Sequence, residues 1–95
     1  AAKAVVPAMQ ELGKTLKVGT VDMSPEALSF IADGTMEFAI DQQQYAQGYL
    51  SVVFLYLALT NGNEVGGGAP VYSGPGFVTK DNVDKVQSLV TAGTR

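Results

Sequence analysis

The sequence predicts an α/β fold with a parallel sheet. Extended and helical segments alternate along the chain in the order β-α-β-α-β-α after a first helix. Successive strands joined through helices usually pair in parallel, with right-handed crossovers. The chain has 95 residues, of which 46% are hydrophobic and 16% charged, as in one small globular domain.

The first helical segment covers residues 4–12, and Gly13 is a residue type that commonly ends a helix. Pro7 is unfavourable inside this segment, since proline lacks a backbone donor and costs about 3 kcal/mol in a helix interior. We therefore expect the helix to begin near Pro7. Residues 16–21 are mostly apolar, which predicts a strand covered on both faces.

The second helix has a strong start signal. Ser24 is a suitable N-cap, Pro25 fits the first helical position, and Glu26 suits the positive end of the helix dipole. Leu28 and Ile31 are spaced to form its inward face. This helix is expected to pack on the sheet.

A second strand is predicted at residues 35–40, with Glu37 at an exposed position. The longest helix then begins at Gln43 or Gln44 and continues to about Thr60. Its apolar residues leave little polar face, which indicates burial on more than one side.

Three glycines at residues 66–68 predict a flexible loop. A nucleotide-binding role is disfavoured, since such a loop must join a strand to a helix and here it does neither. Residues 71–73 predict a short strand, residues 74–76 a break, and residues 82–91 a last helix.

Several classes of function are excluded by composition. The net charge is −3 and the six basic residues are scattered, which disfavours nucleic-acid binding. Without His or Cys the chain has no zinc site of the usual kind, no Cys or His nucleophile and no disulfide, and we expect no cofactor. The longest apolar run, residues 49–59, is shorter than the roughly 20 residues that span a membrane. The first residues lack an initiator Met and a signal sequence, so we expect a processed or excised piece.

Polar residues follow the first two strands at Asp22 and Gln42. The carboxyl ends of parallel strands share one edge, where open α/β sheets bind ligands. The alternative for both residues is capping of the helix that follows. Asp41 is expected to be a solvated or capping carboxylate, and a catalytic pair of Asp22 and Asp41, as in glycosidases, is disfavoured because binding needs only one carboxylate. Tyr45 belongs either to the core or to a ligand-stacking surface beside this edge.

Four motifs occur in the order and spacing of a known family. The pattern resembles the C-terminal third of periplasmic sugar-binding proteins of the ribose-binding, type I class, the solute-capturing components of ABC importers. The third motif is most similar to members that bind simple sugars or inositol-like polyols. The motifs are Val18-Gly-Thr-Val-Asp-Met-Ser-Pro-Glu-Ala-Leu28, Ile31-Ala-Asp-Gly34, Ile40-Asp-Gln-Gln-Gln-Tyr-Ala-Gln-Gly48 and Gly74-Pro-Gly-Phe-Val-Thr-Lys-Asp-Asn-Val-Asp84.

The resemblance implies a three-layer, flavodoxin-like C-terminal lobe of the periplasmic-binding-protein type I fold. Residues 1–73 would form part of that lobe. Residues 74–80 would be a hinge crossing around Gly74 and Pro75, and residues 81–95 a terminal helix of the other lobe.

It also implies that Asp22 and Gln42 contact a monosaccharide or an inositol-like polyol, with Tyr45 as a further candidate. Family members often have proline where this chain has Gln44. The implied setting is periplasmic, or extracellular and lipid-anchored, with an ABC permease as partner.

Two other interpretations stay open. One is an effector-sensing domain of a lactose-repressor-type transcription factor, which shares the fold, and the other is a truncated fragment without ligand binding. In each case the apolar surface of the long helix predicts self-association or a complex with the missing part of the parent chain.

Overall fold

The computed structural model describes residues 2–95. This range contains four α-helices, three β-strands and a short 3-10 turn at Gly66–Gly68. In chain order the helices and strands are α1 (Ala2–Glu11), β1 (Gly19–Val21), α2 (Pro25–Ala32), β2 (Phe38–Asp41), α3 (Gln44–Asn61), β3 (Gly76–Val78) and α4 (Val83–Thr91). No helix within the described range is long and apolar enough to cross a membrane.

The three strands of the described range form one mixed sheet in the order β1-β2-β3. β1 and β2 pair in parallel, as predicted, with Val21 opposite Ile40. β3 runs antiparallel to β2, with Gly76 opposite Asp41, so the expectation of a parallel third strand is wrong. The reason is that α3 does not cross back over the sheet. The chain therefore re-enters the sheet at the carboxyl end of β2, and β3 runs in the opposite direction to β2. Residues 71–73, predicted as a strand, are irregular.

α1 continues through Pro7 instead of beginning there, contrary to the sequence expectation. The helix starts by Ala2, and its buried residues Val6 and Met9 lie on either side of the proline in the sequence. Burial of these apolar side chains offsets the local cost of the proline. Gly13, with a φ of 60°, ends the helix region as predicted.

β1 is shorter and more exposed than expected. Val21 is 56% exposed because β1 is an edge strand, and within residues 2–95 nothing covers its outer face. Gly19 permits close packing across the strand pair. A Cβ atom at this position would lie 2.5 Å from the Phe38 ring.

α2 forms as the sequence predicts. The Ser24 hydroxyl accepts a hydrogen bond from the backbone N–H of Ala27 at 3.1 Å, and Pro25 is the first helical residue. Leu28 and Ile31 are fully buried. Lys3 Nζ lies 2.5 Å from Glu26 Oε1 in an ion pair that joins α1 to α2. The hydrogen bond from Lys3 is the main cause that lowers the pKa of the Glu26 carboxyl.

α2 and α4 pack against each other and share one core with α1, β2 and β3. The assignment of residues 81–95 to a second lobe of the intact protein stays a prediction, and in this chain α4 packs on α2. The core consists of Val6, Leu28, Ile31, Met36, Ala39, Val78, Val83 and Val86.

α3 projects away from this core. Its 18 residues carry no charged side chain, and none of them is buried. The chain therefore extends 59 Å along its longest axis, with a radius of gyration of 17.3 Å against about 12 Å for a compact domain of this length. The burial expected for α3 does not occur within residues 2–95.

We expect the isolated chain to self-associate through the exposed face of α3, because a large uncovered apolar surface favours association. Light scattering should give a mass above 9.9 kDa for the chain. The double variant Val52→Lys/Leu59→Lys should lower the measured mass. A matched change outside α3, Leu12→Lys, should not, although Leu12 is equally exposed at 72%. A well-folded monomer at low micromolar concentration would contradict this expectation.

Candidate functional site

Asp22 and Gln42 lie side by side at the carboxyl edge of β1 and β2. The Gln42 amide Nε2 donates to Asp22 Oδ1 at 2.7 Å. The backbone N–H of Asp22 donates to the Ile40 carbonyl at 2.9 Å, so the strand pairing continues one residue past β1. Asp22 has a φ of 67°, a left-handed conformation that Asp tolerates better than most residues. The structure thus brings the two predicted residues together, and their contact with a ligand stays a prediction.

The helix-capping alternatives for these residues do not describe the structure. Ser24 is the N-cap of α2, and Gln43 is the N-cap residue of α3. The side chains of Asp22 and Gln42 instead bond to each other at the exposed edge.

A second amide reaches the same carboxylate oxygen. Gln44 Nε2 donates to Asp22 Oδ1 at 2.8 Å, beside the bond from Gln42. The sequence analysis named Gln44 as one of two candidates for the first residue of the long helix and as a departure from the family pattern, and it assigned Gln44 no role at the site. Residues two apart point to the same side only in an extended strand. Because Gln44 was expected at the start of a helix, its spacing from Gln42 did not indicate a shared partner.

Glutamine side chains also attach the segment before β3 to the start of α3. Gln43 donates to the Ser73 carbonyl, and Gln47 donates to the Ser73 hydroxyl at 3.0 Å and to the Gln42 carbonyl at 2.7 Å. The Ser73 hydroxyl in turn donates to the Gln42 carbonyl at 2.9 Å. This network fixes the backbone of Gln42, and sequence reasoning did not find it.

Two grooves flank the Asp22–Gln42 pair. The first has a volume of about 360 Å³, within the usual range for small-molecule sites. The second, on the Asp22 side, is smaller at about 270 Å³. The first groove is lined by Ile40, Gln42, Gln47, Val71, Tyr72, Ser73, Gly74 and Pro75.

Tyr45 lines neither of these two grooves. The residue is 51% exposed, and its ring stacks on the ring of Tyr49, with centroids 6.3 Å apart and planes within 9° of parallel. The sugar-stacking role considered for Tyr45 stays a prediction without support from this geometry.

Gly74 and Pro75 lie at the end of the first groove, against the carboxyl end of β2. A Cβ atom at Gly74 would lie 3.1 Å from the Asp41 carbonyl oxygen, so glycine permits this close approach. Whether the pair acts as a hinge concerns the intact protein and stays a prediction.

Asp41 is buried, contrary to the expectation that it is solvated. Its Oδ1 accepts the backbone N–H of Gln43 at 2.7 Å, a turn that precedes α3. No side chain caps the first turn of α3, so the capping part of the expectation is also wrong. Its Oδ2 accepts Arg95 Nε at 2.7 Å. The carboxylate has no exposed surface because Arg95 lies over it at the end of β2.

Comparison with known proteins finds a curated relative and a solved structure that are similar to this chain. No family model matches the chain. It is 36% identical over 73 residues to a xylose/arabinose-binding protein of Sulfolobus acidocaldarius, covering 75% of this chain and 17% of that protein. The solved structure of a carbohydrate transporter from Acidothermus cellulolyticus, in complex with myo-inositol, matches 99% of this chain at a TM-score of 0.86 and 39% identity. The chain is homologous to one region of sugar-binding transporter proteins.

This homology confirms the predicted fold class, since the region of the solved transporter has the same fold. The chain spans about one third of the length of that transporter and about one sixth of the curated relative.

We expect Arg95→Met to destabilise the chain by about 1–3 kcal/mol, because it leaves the buried Asp41 carboxylate without its charged partner. Urea unfolding measures the loss. Replacement of the exposed Lys85 by Met removes a cation from the surface of α4 and should change the stability by less than about 0.5 kcal/mol. Equal stability of the two variants would show that the Asp41–Arg95 pair does not stabilise the fold.

Proposed function

We propose that this chain is part of a solute-binding protein for ABC import, and that Asp22 and Gln42 bind a monosaccharide or an inositol-like polyol without catalysis. The observation that carries the proposal is the carboxylate–amide pair at the carboxyl edge of the sheet. Open α/β sheets bind ligands at this edge. The homology to sugar-binding transporter proteins supports sugars and polyols as the ligand class.

The chemistry of the pair suits a neutral polyol. An ionised carboxylate accepts hydrogen bonds from hydroxyl groups, and a glutamine amide both donates and accepts. Within residues 2–95 the hydrogen bonds to the Asp22 carboxylate end on Oδ1, which leaves Oδ2 for a ligand hydroxyl. The Gln42 amide keeps its carbonyl oxygen and one N–H for an adjacent hydroxyl. Two neighbouring hydroxyls on one ring match this arrangement.

The affinity of this edge alone is expected to be low. Two charge-assisted hydrogen bonds accepted by the two lone pairs of Asp22 Oδ2, with two neutral bonds to Gln42, contribute at most roughly 5–8 kcal/mol. Loss of ligand translation and rotation costs at least about 4 kcal/mol. The difference corresponds to a Kd in the millimolar range or weaker, so a second binding surface is needed for tight capture.

We also propose that, in the assembled protein, α3 packs against further polypeptide of the same solute-binding protein. A helix that is apolar on all sides is normally covered on all sides. A second copy of α3 would cover only one side of the helix. The solved transporter is three times as long as this chain, yet it matches 99% of it, α3 included. The same proposal places the intact protein in the periplasm, or anchored outside the cell, where it captures the solute. It also includes docking of the intact protein to an ABC permease.

The repressor and fragment interpretations have less support. Both relatives are named as sugar-binding or carbohydrate-transport proteins. A repressor assignment would rest on the shared fold alone, which does not determine function.

Residue-resolved NMR titration of the chain tests the proposed function. myo-Inositol, D-xylose and L-arabinose are added at up to several hundred millimolar, and the Kd is fitted from backbone and side-chain amide shifts. We expect at least one solute to shift the amides around Asp22 and Gln42. Asp22→Ala should weaken binding by about tenfold or more, and Gln42→Ala by about fivefold.

The matched controls are Asp84→Ala and Gln10→Ala, which remove the same chemical groups from α4 and α1. They should leave the Kd unchanged. If Asp22→Ala and Gln42→Ala bind like these controls, the site assignment is wrong. If none of the solutes shifts any amide near the edge, the proposed ligand class is wrong.

A further inference from the structure

We propose that Gln44 is a positioning residue for the solute site, which holds the Asp22 carboxylate in the orientation that presents Oδ2 to the ligand. This inference rests on the proposed function, because it concerns the same site. It adds a role for a residue that the family pattern does not include.

The geometry places two amides on one oxygen. Gln42 Nε2 and Gln44 Nε2 lie 2.7 and 2.8 Å from Asp22 Oδ1. A carboxylate oxygen has two lone-pair positions, so two donors fill Oδ1. A ligand hydroxyl is then directed to Oδ2.

An unusual backbone conformation brings the second amide to this position. Gln43 has φ 58° and ψ 54°, in the left-handed region, and turns the chain between β2 and α3. Gln42 and Gln44, on either side of it, both reach Asp22, while the Gln43 side chain reaches the Ser73 carbonyl. Proline at position 44 would remove the amide, and the residue before a proline favours extended backbone instead of the left-handed conformation of Gln43.

A purely structural role does not explain the Gln44 side chain. Gln44 is the first residue of α3, and its side chain is exposed and bonded to the Asp22 carboxylate on another element. Asp22 is exposed as well. An exposed aspartate held by one donor can rotate about χ1, and ordering it on binding would weaken the affinity. The second donor orders it before the ligand arrives.

The test compares Gln44→Met, which keeps the length of the side chain and removes its donor, with the control Gln10→Met on α1. Rotamer populations of Asp22 are measured first, without ligand, from the Hα–Hβ couplings. We expect one dominant rotamer in the parent chain and in Gln10→Met, and averaged couplings in Gln44→Met. Unfolding midpoints in urea should be the same for all three chains.

Binding is then measured as a double-mutant cycle with the solute that binds the parent chain best. Gln44→Met should raise the Kd by about three- to tenfold in the parent, and should have no effect in an Asp22→Ala background. An equal effect in both backgrounds, or a single Asp22 rotamer that persists in Gln44→Met, would overturn the proposal. If the parent binds no solute, the proposed function fails, whereas the rotamer measurement still decides whether Gln44 positions Asp22.

Discussion

The parallel pairing of β1 with β2 is the constraint on which the site depends. It brings the carboxyl ends of both strands to one edge, and the bond from the Asp22 N–H to the Ile40 carbonyl extends the pairing by one residue. A shift of register by one residue would turn every side chain to the opposite face. The carboxylate of Asp22 would then point away from the amides of Gln42 and Gln44. α2 packs on β2 through the core that contains the buried Leu28 and Ile31.

The first groove depends on a second set of interactions. Ser73, bonded by Gln43 and Gln47, keeps the segment before β3 against the start of α3. At the end of β2, the Asp41 carboxylate joins the backbone of Gln43 to Arg95. Both networks converge on Gln43, so the turn at this residue connects the wall of the groove, the end of the sheet and the last residue of the chain.

The sequence predicted those features that depend on local chemistry. The cap at Ser24, the inward face of α2, the glycine that ends α1 and the shared edge of Asp22 and Gln42 all follow from residue type and spacing. It did not predict features that depend on tertiary contacts. The continuation of α1 through Pro7 follows from the burial of Val6 and Met9.

Two further differences have the same origin. The antiparallel direction of β3 follows from the outward course of α3, which no local pattern encodes. The approach of Gln44 to Asp22 depends on the left-handed backbone of Gln43, and a glutamine in that conformation is uncommon enough that spacing alone does not indicate it.

A solute bound at the edge formed by Asp22 and Gln42 would lie against the side chains of both residues. Intermolecular NOEs between the ring protons of unlabelled myo-inositol and an isotope-labelled chain test this placement most directly. We expect NOEs to the side-chain amide protons of Gln42 and to protons of the groove wall at Tyr72 and Ser73. NOEs confined to the separate groove of about 510 Å³ beside Lys14 and Leu16 would contradict it.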